Sequence, residues 1–113
     1  MARVEIIESL KNEILHKFKK ESKIIFKLMY SLRESSHKGK LLTNVAGIVM
    51  KELKYKNFRF YFITDGHKLK VLSKEELTDL LLMFVRMSDK KQQQKVINEI
   101  KQVLLVIGKE GFE

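Results

Sequence analysis

The sequence predicts an α+β fold: a small twisted antiparallel sheet packed against an N-terminal helix hairpin, with a C-terminal helix. Three observations predict it. Apolar residues recur at helical spacing between Leu10 and Leu32. Phenylalanines then alternate with other residues over 58–62, as in a strand. A continuous apolar run at 80–85, LLLMFV, has the length of a buried strand. With 113 residues, the chain is expected to form a single domain, 1–113.

The N-terminal third predicts one strand and two helices. Residues 4–8, VEIIE, are expected to form a short first strand. For the helical stretch over 10–32 we prefer two helices in a hairpin to one long rod, because Ser22 can cap a second helix. A polar loop, RESSHKGKLLTN, follows over 33–44.

The middle of the chain predicts three strands. Val45 to Tyr55 is expected to form the second strand, and Asn57 starts the third. Asp65-Gly66 predicts a tight hairpin turn, because such a turn needs residues that accept a positive φ. Residues 68–72 would then form the returning strand.

The C-terminal part predicts a buried strand between two helical segments. SKEEL, at 73–77, fits a capping box and one short helical turn. The run at 80–85 is expected to be a central strand covered on both faces. Ser88 or Asp89 would cap the last helix, which would end at Gly108.

The composition favours a polyanion as partner. Lys and Arg number 23 against 14 acidic residues, which gives a net charge of +9 and a pI near 9.8. Such a charge is typical of domains that bind nucleic acid or an acidic protein, although a lysine-rich solvated surface is the alternative.

The same composition argues against several kinds of site. The absence of cysteine excludes disulfides and thiol chemistry, and the three histidines share no metal-ligand spacing, so we expect no metal or cofactor. No 18-residue apolar run or signal-peptide pattern occurs, which predicts a cytoplasmic protein with no membrane partner.

An arginine stands in the middle of the phenylalanine strand. Alternation sends Phe58, Phe60 and Phe62 to one face, expected to pack under the helix hairpin. Arg59 and Tyr61 then share the other face. That face could simply be solvated, or it could bind an anion, since a guanidinium fits two phosphate oxygens.

Several short motifs in this order resemble the RelE/ParE superfamily of type II toxins. They are Gly39-Lys40-Leu41-Leu42, Glu52-Leu53-Lys54, Asn57-Phe58-Arg59-Phe60-Tyr61-Phe62 and Phe84-Val85-Arg86. The resemblance implies two helices packed on a twisted antiparallel sheet and an antitoxin protein that neutralises the toxin. RelE-like members cleave mRNA in the ribosomal A site without a metal, whereas ParE-like members act on DNA gyrase.

The resemblance also implies roles for individual residues. Arg59 would hold the scissile phosphate, and Lys54 would stabilise the transition state. Glu52 would act as a base or as an ion-pair tether, and Arg86 matches the basic residue that ends the late strand. Tyr61 could stack on a base. The residues expected to contact RNA are Lys51, Lys56, Tyr61, Lys68, Lys90 and Lys91.

One feature departs from the RelE-like pattern. Such nucleases often carry a Tyr or His just after the late basic residue, whereas this chain continues with Met87, Ser88 and Asp89. Three hypotheses therefore remain: a ribosome-dependent mRNA endoribonuclease, a non-catalytic member of the same fold such as a gyrase inhibitor or inactive relic, and an unrelated basic RNA-binding domain.

Overall fold

The computed structural model of the protein describes residues 2–71 and 80–112. The strands are β1 (Arg3–Ile6), β2 (Lys40–Val45), β3 (Ile48–Tyr55), β4 (Phe58–Asp65) and β5 (Leu81–Asp89). The helices are α1 (Glu8–Phe18), α2 (Ser22–Tyr30), α3 (Gly66–Val71) and α4 (Gln93–Val106). Short 3₁₀ turns occupy Lys19–Glu21, Ser31–Arg33 and Lys109–Phe112. The predicted α+β class, with helices before and after the sheet, is confirmed.

The five strands form one sheet in the order β1-β5-β4-β3-β2. The pairs from β5 to β2 are antiparallel, but β1 pairs parallel to β5, with Arg3 opposite Leu81. The sheet is therefore mostly antiparallel, as predicted, with one parallel pair at β1. Because most of the chain lies between β1 and β5, their connection is long enough for the parallel pairing that a tight hairpin cannot make.

The helical stretch is broken into two helices, as predicted. Lys19 has a φ of 50°, which no continuing α-helix accepts, and a 3₁₀ turn separates α1 from α2. Ser22 does not cap α2 as expected. It is the first residue of that helix, and its hydroxyl donates to the carbonyl of Lys19 at 2.5 Å.

The predicted second strand, Val45 to Tyr55, is two strands joined by a tight turn. Ala46 and Gly47 have φ values of 52° and 84°, the left-handed geometry of a hairpin that matches the strand twist. The Asn44 side chain closes the turn by accepting from the Gly47 N–H at 3.1 Å. The last five residues of the segment expected as a loop, 40–44, thus belong to β2.

The predicted hairpin at Asp65-Gly66 is also wrong, because this pair starts α3. The Asp65 carboxylate accepts from the backbone N–H of Lys68 at 3.0 Å, which is the contact of a helix cap. The Gly66 N–H donates to the Gly47 carbonyl at 2.9 Å, and a Cβ there would lie only 2.9 Å from the same oxygen. Of the expected returning strand, the described part is helical. Residue 72 and the expected capping box at 73–77 lie outside the described residues.

Each face of the sheet carries its own hydrophobic cluster. On one face, Phe60 and Phe62 are buried against α1 and α2, with Ile14 and Met29 among their neighbours, and Phe58 packs at the margin. The predicted strand register is confirmed. On the other face, α4 covers the sheet with side chains that include Ile97, Ile100 and Leu104. The face that carries Arg59 is therefore mostly covered rather than solvated.

The run at 80–85 forms a central strand, as predicted. β5 lies between β1 and β4, and Leu82, Phe84 and Val85 are fully buried. The expected cap of α4 by Ser88 or Asp89 is wrong, because the N-cap residue is Gln92 and no side chain caps the helix. Asp89 instead closes the turn before α4 by accepting from the Gln92 N–H at 2.8 Å. After α4, Gly108 adopts a φ of 92° and donates its N–H to the Val103 carbonyl, as expected at a helix end.

Candidate functional site

Several predicted site residues meet at one end of the sheet, next to the start of α4. At this end β3 and β5 finish and β4 begins. Across the sheet, Lys54 of β3 stands opposite Arg59 of β4, and Arg59 stands opposite Ser88 of β5. Two pairs further along, on the same face, Glu52 stands opposite Tyr61. Directly opposed residues share a face, so these side chains project together toward α4. We define Glu52, Arg59, Tyr61, Ser88 and Gln93 as the Arg59 cluster.

Arg59 is held firmly within the protein. It is only 8 % exposed, and its Nη1 donates to the carbonyls of Phe58 at 3.2 Å and Lys56 at 3.4 Å. Its Nε lies 4.0 Å from Oε1 of Glu52. Nη2 makes no hydrogen bond with the described part of the chain. The guanidinium therefore braces the β3–β4 turn and faces one carboxylate.

Glu52 connects the sheet to α4. Its Oε1 faces Arg59, and its Oε2 accepts from the side-chain amide of Gln93 at 3.1 Å. The residue is 7 % exposed. A buried carboxylate needs a cation or hydrogen-bond donors nearby, and Arg59 and Gln93 supply them here.

Tyr61 is fully buried, and its hydroxyl shares a 2.7 Å hydrogen bond with the Ser88 hydroxyl. Burial raises the pKa of Tyr61, so its phenol stays protonated at neutral pH. The expected stacking of Tyr61 on an RNA base would require α4 to move, because in this structure the ring lies inside the cluster under α4.

Arg86 is brought to the same face but is paired with α4. Its Nε donates to Oε1 of Glu99 at 2.8 Å, and its Nη1 donates to the Val85 carbonyl at 2.7 Å. The guanidinium also lies 5.0 Å from the ring centre of Phe112. These contacts use Arg86 to hold α4 and the C-terminal turn on the sheet.

Three lysines near the Arg59 cluster are exposed: Lys54, Lys90 and Lys91. Lys54 is the cross-strand partner of Arg59, and the other two lie in the turn that follows β5. None of the three has a carboxylate within 4.0 Å in residues 2–71 and 80–112. Their ammonium groups form the solvent-accessible positive charge of this end of the sheet.

Of the other three lysines expected to contact RNA, Lys56 lies beside the cluster but is paired, and Lys51 and Lys68 lie elsewhere. Lys51 is the neighbour of Glu52 on β3, so its side chain projects to the opposite face of the sheet, toward α1 and α2, where it is 5 % exposed. Lys56 is exposed in the β3–β4 turn and pairs with Glu21, whose pKa that hydrogen bond lowers. Lys68, on α3, follows the far end of β4, about 20 Å from Arg59 at the usual rise of a strand.

A cleft of ≈ 300 Å³ opens beside the cluster, between α1 and α4. It exists because β1 ends at Ile6, opposite Phe84, so the second half of β5 has no neighbour on that side among the described strands. Lys17 lines one wall, Lys95 the other, and Ser88 lies in the lining that joins the cleft to the Arg59 cluster. The cleft is the concave surface next to the exposed lysines.

Sequence reasoning missed Ser88 and Gln93 as members of the site. A serine inside an apolar strand is only a weak signal for a buried hydrogen-bond partner of Tyr61, and a glutamine within the run QQQ gives no signal.

In the described part of the chain, no three His, Asp or Glu side chains are grouped to hold a metal ion. Among the same residues, no helix is both long and apolar enough to cross a membrane.

A scan against protein-family models and searches of curated proteins and of solved structures find no match to this chain.

Proposed function

We propose that the protein is the toxin of a type II toxin–antitoxin module, with a RelE-like fold, and that it cleaves mRNA on the ribosome. The observation that carries the proposal is the alignment of Lys54, Arg59 and Ser88 across three neighbouring strands. Glu52 lies 4.0 Å from the arginine. Metal-free cleavage of RNA at its own 2′-OH needs a base for the hydroxyl, positive charge beside the pentavalent phosphate and a proton for the leaving 5′-oxygen. The carboxylate and the two cations offer the first two.

In the proposed reaction each group acts on the phosphodiester. The exposed ammonium of Lys54 neutralises the charge that develops on the pentavalent phosphate. Arg59 holds a phosphate oxygen through Nη2, while its other nitrogens keep it fixed on the β3–β4 turn. Glu52 either only keeps Arg59 in place or accepts the 2′-hydroxyl proton. In the second case the 2′-oxygen bonds to phosphorus, the P–O5′ bond breaks, and the 5′-oxygen takes a proton from water, which leaves a 2′,3′-cyclic phosphate. Lys90 and Lys91 bind neighbouring phosphates of the RNA or the ribosome.

A second candidate is a binding-only member of the same fold. Two observations favour it: Arg59 already donates to two carbonyls, and the buried Tyr61 leaves no phenol ready for proton transfer. Such a protein would bind the ribosome or gyrase through the same exposed lysines and would have no nuclease activity.

Primer extension on ribosome-bound mRNA separates the two candidates. Under the nuclease proposal, Arg59→Ala and Lys54→Ala each reduce cleavage by about 10²-fold or more, the scale of losing one transition-state donor. Arg59→Lys restores part of the activity, since an ammonium keeps the charge without the planar fork. Arg3→Ala is the matched control, because Arg3 is an exposed arginine on the edge strand β1. Equal background for wild type and Arg59→Ala would leave only the binding function.

Lys90 tests the role of the exposed lysines. Lys90→Ala should weaken ribosome binding and reduce its salt dependence, because one phosphate contact fewer releases fewer counterions. Single-turnover cleavage by bound protein should stay unchanged. In cells, expression without an antitoxin should arrest translation before replication, whereas gyrase stalled on DNA with normal protein synthesis would indicate the ParE-like activity.

A further inference from the structure

A second surface lies on the opposite face of the sheet from the Arg59 cluster. It is an open groove of ≈ 250 Å³ between strands β2 and β3 and helix α3. Its lining is mostly apolar, with Leu41 from β2, Val49 from β3 and Leu69 from α3. Leu41 is 62 % exposed, which is high for a leucine on a sheet. We call this surface the β2–α3 groove.

Lys51 lines the groove as a buried cation. It stands opposite Leu41 across the β2–β3 pair and is 5 % exposed. Its Nζ donates to the His37 carbonyl at 2.8 Å, yet an ammonium carries three donors. No carboxylate of residues 2–71 or 80–112 lies within 4.0 Å of it. Burial lowers the pKa of Lys51, as expected for an ammonium that has lost water without gaining a counter-charge.

The groove adjoins an open sheet edge. β2 is the last strand of the sheet, and no other described strand pairs with its outer side. Unpaired backbone groups on such an edge accept an added strand, while pockets beside it select the side chains. Lys70, which also lines the groove, adds a second positive charge.

We propose that the β2–α3 groove and the free edge of β2 bind an extended acidic–apolar segment of a partner polypeptide. The segment pairs with β2, places an apolar side chain against Leu41 and Val49, and brings a carboxylate to the Nζ of Lys51. Apolar lining selects the apolar side chain, and the uncompensated ammonium selects the carboxylate. This binding site is separate from the Arg59 cluster and does not depend on the proposed nuclease function.

Fluorescence anisotropy with a labelled dodecapeptide that repeats Leu-Thr-Glu-Thr tests the proposal. Residues two apart share one face of a strand, so leucine and glutamate alternate along the face that meets Leu41 and Lys51. The full-length protein should bind this peptide, and Lys51→Met should weaken binding by about tenfold or more, the loss of a charge-assisted hydrogen bond. Lys23→Met is the matched control, since Lys23 is an exposed lysine on α2. Leu41→Asp should also weaken binding, and because Leu41 is exposed this variant keeps the test valid if Lys51→Met does not fold. Amide exchange of β2 should slow when the peptide binds.

Three results would overturn the proposal. The first is equal affinity of Lys51→Met and Lys23→Met. The second is equal binding of a peptide of the same composition whose glutamates form one block, because that result would mean attraction by net charge alone. The third is binding of dodecanoate but not of the alternating peptide, which would assign the groove to a free carboxylic acid. None of these measurements uses RNA cleavage, so the proposal stands or fails independently of the nuclease function.

Discussion

Arg59 shows how much the surroundings of one residue change its expected contribution. The sequence places it on the face opposite the phenylalanines, and the structure confirms that placement. What the sequence alone could not give is the cover over that face, because α4 meets β4 only through tertiary packing. A solvated arginine would contribute little to stability, whereas this one faces the buried carboxylate of Glu52.

Arg59→Ala should therefore destabilise the fold as well as reduce cleavage. Loss of the guanidinium leaves Glu52 without its cation and two carbonyls without a donor, at a cost of about 1 to 3 kcal/mol. Urea unfolding measures this cost. Arg3→Ala is the control and should stay within about 0.5 kcal/mol of wild type. Equal stability of the two variants would mean that Arg59 is effectively solvated.

The burial of Lys51 predicts that the stability of the protein depends on pH. Its folded-state pKa lies below the ordinary value of 10.5, so between those two values the unfolded chain binds more protons than the folded one. In that window the stability of the wild type rises with pH. At neutral pH the buried charge is a cost, and Lys51→Met should raise the free energy of unfolding. The gain should shrink as the pH approaches 10.5, which denaturant titrations across this range would measure. A gain that is independent of pH would contradict the assigned cause.

Among the secondary-structure elements, the predictions from sequence are right where hydrophobic periodicity is strong. The apolar run at 80–85 and the alternation at 58–62 both became strands with the expected faces. It failed at two turns. Ala46-Gly47 lacks the Asn-Gly or Asp-Gly pair that marks a hairpin, so the strand over 45–55 was not divided. Asp65-Gly66 has such a pair, but it caps α3 instead, because Gly66 docks on the Gly47 carbonyl.

The Ala46-Gly47 turn gives a prediction at this scale. Ala46 is exposed with a φ of 52°, a left-handed conformation that costs an L-residue with a Cβ about 1 kcal/mol or more. Asparagine accepts this conformation, so Ala46→Asn should stabilise the protein by up to about 1 kcal/mol. Gly47→Ala should destabilise it by strain alone, because no atom lies within 4 Å of the added Cβ. Thermal unfolding measures both, and a lower melting temperature for Ala46→Asn would contradict the turn geometry.

In the part of the chain that the structure describes, one sheet lies between two hydrophobic layers. The sequence predicted the layer formed by the phenylalanines and the helix hairpin. It also predicted that the strand at 80–85 is covered on both faces, but not that α4 forms the second layer, because the apolar stripe of α4 does not identify the face it covers. The same layer explains why the candidate site is partly closed: Gln93 and Glu99 of α4 contact Glu52 and Arg86.

Because the two layers share every central strand, they should unfold together. Ile25 on α2 and Ile100 on α4 are both fully buried, one in each layer. Truncation of either to alanine should cost about 2 to 5 kcal/mol through lost burial and the cavity left behind. Both variants should show a single cooperative transition. In each, native-state amide exchange should rise to a similar extent in α2, β4 and α4. If Ile100→Ala instead releases only the amides of α4, that helix is a separately unfolding lid over the Arg59 cluster, and the cleavage assay with this variant would then report a more accessible site.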